Sequence, residues 1–155
     1  MTLPKRLVEL INSNICIDSI TPLPSRYADV NNFNEIQAGY RFNSITKECL
    51  ISDENGSWRN GWFVFAQNYF HDPFYIDFTE ENIGFPVYYS PHGAGKWTQI
   101  KIADSIEHFE LILREIKNNE SQLPFDLNTL SLDIDLDNIF WAEVAGICND
   151  AESFC

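Results

Sequence analysis

Two histidines and two aspartates form the one group of side chains in this sequence whose types suggest catalysis or metal binding. His71 and Asp72 are adjacent, Asp77 follows on the next apolar run, and His92 lies in a later loop. Imidazole and carboxylate groups on adjoining loops can bind a divalent metal or act as an acid–base pair. The sequence has no HxxxH or HxH spacing and no GxSxG nucleophile motif. We therefore favour structural roles and predict no catalytic residue, metal or cofactor; a small hydrolase or metal-binding protein is the alternative.

A second pattern of carboxylates imitates a calcium-binding loop. Asp133, Asp135 and Asp137 occupy the first, third and fifth positions of such a loop. The sixth position requires glycine and is Asn138, and the twelfth requires a bidentate glutamate and is Val144. We therefore interpret residues 132–138 as a short edge strand with an exposed acidic face.

The net charge of the chain restricts its partners. Ten basic and twenty-three acidic side chains give −13, and no Lys or Arg occurs after residue 117. Proteins bind nucleic acids and anionic membranes by neutralising phosphates with Lys and Arg, so we exclude both as direct partners. The second half of the chain is predicted to form a strongly acidic surface. That surface is either a binding site for a basic protein or a solvated face, and the charge alone does not separate these alternatives.

The expected cellular compartment depends on whether the sequence contains a signal peptide or a membrane-spanning segment. The N-terminal residues contain no apolar run of signal-peptide length, and no stretch approaches the roughly 18 apolar residues of a membrane span. We therefore expect a cytoplasmic protein. Its cysteines have no paired spacing and are predicted to be free thiols; they are Cys16, Cys49, Cys148 and Cys155.

The elements that position these side chains follow from hydrophobic periodicity. Amphipathic spacing predicts helices over 2–11, 103–118 and 138–149. Alternating or apolar runs predict strands, and the links between them are too short for parallel crossovers. We expect a single α+β domain spanning 1–155, an antiparallel β-meander flanked by N-terminal and C-terminal helices. The predicted strands are 35–42, 48–52, 62–67, 73–78, 86–90 and 97–102.

Five short motifs occur in order along the middle of the chain. They are a Trp-led strand over 62–68, Asp-Pro with a second Asp over 72–77, Pro-Val-Tyr-Tyr over 86–89, His-Gly with Trp97, and Ala-Asp-Ser over 103–105 followed by Phe109. The set resembles the SUKH superfamily, named partly after yeast cell-wall-synthesis regulators and widespread in bacteria as immunity proteins. One departure affects a loop: many members carry glycine before the Asp-Pro turn, where this chain has Phe70 and His71.

The resemblance implies an α+β fold, no enzymatic activity and a role in protein binding. Bacterial members look like antidotes that are made beside a toxin, often a nuclease or deaminase, and block it by binding. By this resemblance the chain is a cytoplasmic immunity protein for a cognate toxin with a basic active-site surface, of the nuclease class. Carboxylates can occupy such a groove and speed encounter electrostatically. The alternative is a regulatory adaptor without a toxin partner.

The partner-binding residues are expected in three places. Aromatic side chains would anchor the partner and carboxylates would steer it. The predicted residues are Asp72, Asp77 and His92 on loops, Tyr88 and Trp97 nearby, and Asp133, Asp135 and Asp137 in the second half.

Overall fold

A five-stranded antiparallel sheet forms the centre of the computed structural model, which describes residues 1–93 and 95–150. The strands lie side by side in chain order, and each pairs antiparallel with the next. The links from β2 through β5 are too short for parallel crossovers, whereas a long irregular segment joins β1 to β2. The meander prediction is confirmed. The strands are β1 (Arg26–Tyr27), β2 (Trp62–Gln67), β3 (Pro73–Asp77), β4 (Val87–Tyr89) and β5 (Ile100–Ala103).

Within the described residues, three α-helices and several short 3₁₀-helices accompany the sheet. The α-helices are α1 (Lys5–Ser13), α2 (Ile106–Asn119) and α3 (Ile139–Asp150). Ser105 begins α2, because its hydroxyl accepts a hydrogen bond from the His108 N–H at 3.0 Å. The predicted apolar face of α2 is buried, including Phe109. The α+β prediction is therefore confirmed.

The two faces of the sheet are covered by different parts of the chain. Phe74 of β3 packs against Phe109 of α2 and Phe140 of α3, with ring centroids 5.8 and 5.7 Å apart. The next residue, Tyr75, points to the opposite face and packs against Trp58 at 4.8 Å. Helices thus cover one face, and the irregular segment that contains Trp58 covers the other.

The predicted strand over 35–42 is wrong. The chain forms a short 3₁₀-helix there, Glu35–Gln37, and Gly39 has a φ of +90° that interrupts any strand. The buried Gln37 side chain bonds β2 instead: its amide donates to the Val64 carbonyl at 2.7 Å and accepts from the Val64 N–H at 2.9 Å. The Gln37 side chain thus makes hydrogen bonds to the backbone of β2, where the sequence pattern predicted a strand.

The predicted edge strand over 132–138 is also wrong. The outer carbonyls of β5 bind side chains: the Asn138 amide donates to Lys101 at 2.8 Å and the Trp141 indole to Ile102 at 2.7 Å. These bonds occupy the edge that a further strand would need. Asn138, and not Asp137, also caps α3, since its oxygen accepts from the Phe140 N–H at 2.9 Å. Apolar and acidic residues still alternate in burial over 132–137, because the apolar side chains are half-buried and the aspartates are exposed.

Cys16, Cys49 and Cys148 are free thiols, as predicted, and Cys155 lies outside the described residues. Among the described helices, none combines the length and apolar character required to cross a bilayer.

Candidate functional site

The first predicted group of side chains is divided between the two ends of the sheet. Antiparallel pairing brings the end of β2, the start of β3 and the end of β4 to one end, which holds Asp72 and His92. Asp77 ends β3, about 16 Å away at about 3.3 Å per residue. We call these the Asp72 end and the Asp77 end. The structure brings Asp72 and His92 together and separates Asp77 from both.

Asp72 is a buried carboxylate that binds several parts of the chain. It accepts hydrogen bonds from the Tyr89 hydroxyl at 2.7 Å and from the His92 N–H at 3.0 Å, and the His92 Nδ1 also contacts it. Burial, together with the bond to Asp72, raises the pKa of Tyr89 well above its usual range, so the hydroxyl remains a donor. The Asp72 side chain is 9% exposed, whereas that of His92 is 52% exposed and reaches solvent.

His71 does not join the pair of Asp72 and His92. Its side chain is exposed, its φ is +65°, and its carbonyl accepts a hydrogen bond from the Tyr40 hydroxyl at 2.6 Å. The loop therefore adopts the left-handed conformation that glycine would adopt readily, although this chain has histidine there.

Asp77 has a local structural contact. Its carboxylate accepts hydrogen bonds from the Thr79 N–H at 2.9 Å and from the Thr79 hydroxyl at 2.7 Å, which begins a 3₁₀-helix. Within residues 1–93 and 95–150, no three His, Cys, Asp or Glu side chains are arranged to hold a metal ion. His71, Asp72, Asp77 and His92 thus form no common site.

Two exposed aromatic rings at the Asp72 end were missed by the sequence reasoning. Tyr69 is 71% exposed and Phe70 is 49% exposed, and their ring centroids lie 5.3 Å apart, edge to face. The Asn68 side chain fixes the backbone beneath them by accepting from the N–H groups of Phe70 and Asp72 at 2.9 and 3.0 Å. The sequence feature that could have revealed them is a pair of aromatic residues in the turn before Asp72-Pro73, between the predicted strands 62–67 and 73–78.

The two predicted aromatic site residues are mainly packing residues. Tyr88 lies within β4 and is buried. Trp97 is half-buried against Trp58, with ring centroids 5.3 Å apart, and lines a groove of about 490 Å³. Arg59 and Lys96 line the same groove. Trp97 is thus placed beside cations and not beside the predicted carboxylates.

Residues 126–150, which we call the acidic segment, contain Asp and Glu side chains but no Lys or Arg. Glu120, just before it, pairs with Lys117 at 2.8 Å. In the described part of the chain, no carboxylate of the acidic segment forms an ion pair. These side chains are exposed to solvent. They are Asp126, Asp133, Asp135, Asp137, Glu143 and Asp150.

Part of the acidic segment lines a groove beside β5. Asp133, Asp135 and Asp104 share this groove, about 190 Å³ in volume, with Trp141. Lys101 also lines it and bonds Asp104 at 2.9 Å, which lowers the pKa of Asp104. Asp133 and Asp135, which also line the groove, form no ion pair with a described residue, and His108 is a further lining residue. Asp104 is not among the predicted site residues, because the sequence pattern places it at the start of a helix.

Comparison with models of protein families identifies the family of this chain. The model of the SMI1 / KNR4 family (SUKH-1) matches residues 1–111. The chain belongs to this family. No curated protein and no solved structure matches it.

The SUKH-1 family includes immunity proteins, and its members are generally non-catalytic. Membership implies a protein partner. The matched region contains the whole sheet and ends within α2. The acidic segment lies beyond the match, so the family assignment and the unpaired carboxylates are independent observations.

Proposed function

We propose that this chain is a cytoplasmic immunity protein that neutralises a cognate toxin by direct binding, without catalysis or a cofactor. The partner is a protein with a basic active-site surface, of the nuclease class. Membership in a family that includes immunity proteins supports the role. The net charge of −13 supports a basic partner.

The unpaired carboxylates of the acidic segment carry the proposal. A nuclease needs a basic groove to hold phosphates, and an acidic surface can occupy that groove in place of the substrate. Opposite charges also speed encounter, by about ten- to a thousandfold at low salt. A carboxylate paired within its own chain contributes less to such a field. The exposed carboxylates without an internal partner are therefore the groups best suited to this role.

The predicted site residues take different parts in this proposal. Asp133, Asp135 and Asp137 are exposed and would face the basic surface. His92 is exposed at the Asp72 end and would contact the partner there. Asp72 would position His92, because its carboxylate accepts a hydrogen bond from the His92 N–H. Asp77, Tyr88 and Trp97 stay predicted contacts of the partner.

Co-purification with the product of the adjacent toxin gene tests the proposal. We expect a stoichiometric complex at low salt, loss of toxin activity in that complex, and slower association as salt rises. The triple variant Asp133→Asn, Asp135→Asn, Asp137→Asn should slow association about tenfold. A control that removes three exposed carboxylates elsewhere, Glu48→Gln, Asp53→Asn, Glu54→Gln, should change the rate much less.

A toxin that is neither bound nor inhibited at low salt would refute the proposal. Binding to an endogenous protein, with a regulatory defect and no toxin sensitivity on deletion, would instead indicate the regulatory adaptor.

A further inference from the structure

We propose that Tyr69 and Phe70 form the apolar anchor that holds the protein partner of this chain. The proposal rests on the proposed function and adds the contact that sets the lifetime of the complex. The two rings are adjacent and largely exposed at the Asp72 end. Large exposed aromatic side chains are costly in water, and Tyr in particular is enriched among the residues that dominate binding energy.

The backbone that carries the anchor is held by hydrogen bonds in the free chain. The Asn68 N–H donates to the Asp72 carbonyl at 3.1 Å, and the Asn68 side-chain amide donates to the Pro22 carbonyl at 3.3 Å. The Tyr40 hydroxyl holds the His71 carbonyl from another part of the chain. A loop that is already ordered loses little conformational entropy when its side chains are buried by a partner.

The backbone beneath the anchor is strained. His71 has a φ of +65°, a left-handed conformation that is unfavourable for a residue with a Cβ atom. Strained residues persist where the surrounding structure holds them and are concentrated at functional sites. Here the hydrogen bonds of Asn68 and Tyr40 hold the turn in this conformation, with Tyr69 and Phe70 exposed beside it.

The charges near the anchor indicate what covers it. Tyr69 borders a depression of about 300 Å³ that Ile17, Leu23 and the exposed Asp18 also line. Asp18 forms no ion pair with any described residue. The start of α3 also lies at this end, because the Phe140 ring packs 4.6 Å from the Tyr89 ring. Glu143 follows Phe140 in α3, and its charge adds to the effects of burial and of Asp72 that raise the pKa of Tyr89.

A partner that fits has an apolar cleft bordered by Lys or Arg side chains. The cleft would receive the two rings, and the cations would meet Asp18 and Glu143. A second copy of this chain fits poorly, because each copy carries a net charge of −13. The basic partner of the proposed function is therefore the occupant.

The test uses the full chain and the product of the adjacent toxin gene. The double variant Tyr69→Ala, Phe70→Ala should weaken binding about 30-fold or more at physiological salt, mainly through faster dissociation. Leu111→Ala removes a comparably exposed apolar side chain from the outer face of α2, 44% exposed, and should stay within about twofold of wild type. The melting temperature of each variant checks that it is folded.

A second measurement does not depend on variants. Hydroxyl-radical footprinting of the wild-type chain should show protection of Tyr69 and Phe70 in the complex. Unchanged labelling, wild-type affinity of the folded double variant, or a wild-type dimer in light scattering that this variant abolishes would overturn the anchor. If the wild-type chain binds and only the anchor test fails, the proposed function stands; if the wild-type chain does not bind, the proposed function fails.

Discussion

At the scale of single residues, Asp72 shows how a residue suited to chemistry can serve structure. Its carboxylate joins β4, through Tyr89, to the loop that follows, through His92, and to the turn at Asn68. A buried acceptor with several donors around it is difficult to replace, because each donor loses its partner at once. Asp72 therefore organises the Asp72 end, including the loop that exposes Tyr69 and Phe70.

Replacing Asp72 with alanine should destabilise the fold strongly. The change leaves the Tyr89 hydroxyl and the His92 N–H without an acceptor, and we expect the free energy of unfolding to fall by about 2–4 kcal/mol. Urea denaturation measures this loss. Glu81→Ala, at an exposed position, is the control and should cost less than about 0.5 kcal/mol. Equal losses for the two variants would refute this role of Asp72.

The strain at His71 makes a separate prediction. β-branched residues tolerate positive φ worst, whereas glycine adopts it freely. We expect His71→Val to be about 1–2 kcal/mol less stable than His71→Gly. Thermal unfolding of the two variants under the same conditions checks the order. Equal stabilities would mean that this position does not require the left-handed conformation.

At the scale of elements, side chains form hydrogen bonds with backbone groups of the sheet strands. The Gln37 amide pairs with β2, and Asn138 and Trp141 cover the outer carbonyls of β5. Periodic elements were predictable: α2 repeats its apolar residues at helical spacing, and the central strands are apolar runs between turns. The contacts of Gln37 and Asn138 were not, because they join residues 27 and 37 positions apart and leave no local pattern.

Asn138 should matter much more than its acidic neighbour. Asn138→Ala removes the cap of α3 and the bond to Lys101, so we expect a loss of about 1–2 kcal/mol in the free energy of unfolding. Asp137→Ala, one residue earlier on an exposed side chain, should cost less than about 0.5 kcal/mol. Chemical denaturation of the two variants checks this order, and a larger loss for Asp137→Ala would contradict the capping role of Asn138.

At the scale of the whole molecule, the family match and the charge occupy different parts of the chain. Residues 1–111 match the family, and the acidic segment follows. The acidity of this second half was predictable from composition, since counting charges needs no structure. The groove that Asp133 and Asp135 share with Asp104 was not predictable, because it depends on how α3 lies against β5. The exposed pair of Tyr69 and Phe70 was equally hidden, since aromatic residues in a sequence usually indicate core.

Buried tyrosines make the fold sensitive to alkali. Burial raises the pKa of Tyr40 from 10.0 to about 12, and it raises the pKa values of Tyr27, Tyr75 and Tyr89 further. These groups are protonated in the folded chain where the unfolded chain has begun to lose its protons. Their contribution to stability is complete below pH 10 and declines as the pH rises from 10 through 12.

Urea denaturation at pH 9, 10 and 11 should therefore show a falling free energy of unfolding above pH 10. Tyr40→Phe removes one of these groups and should flatten the decline between pH 10 and 11, although it also loses the bond to His71. A free energy of unfolding that stays constant across this range would contradict the prediction.

The packing of Trp58 against two other tryptophans affects the near-ultraviolet circular dichroism of the chain. Its ring lies 5.3 Å from those of Trp62 and Trp97, and Trp97 belongs to the loop after β4 that His92 fastens to Asp72. Indoles this close couple their electronic transitions, so the near-ultraviolet circular dichroism of the chain reports the position of that loop. Displacement of the loop, by a partner at the Asp72 end or by a substitution there, would be visible without any attached dye.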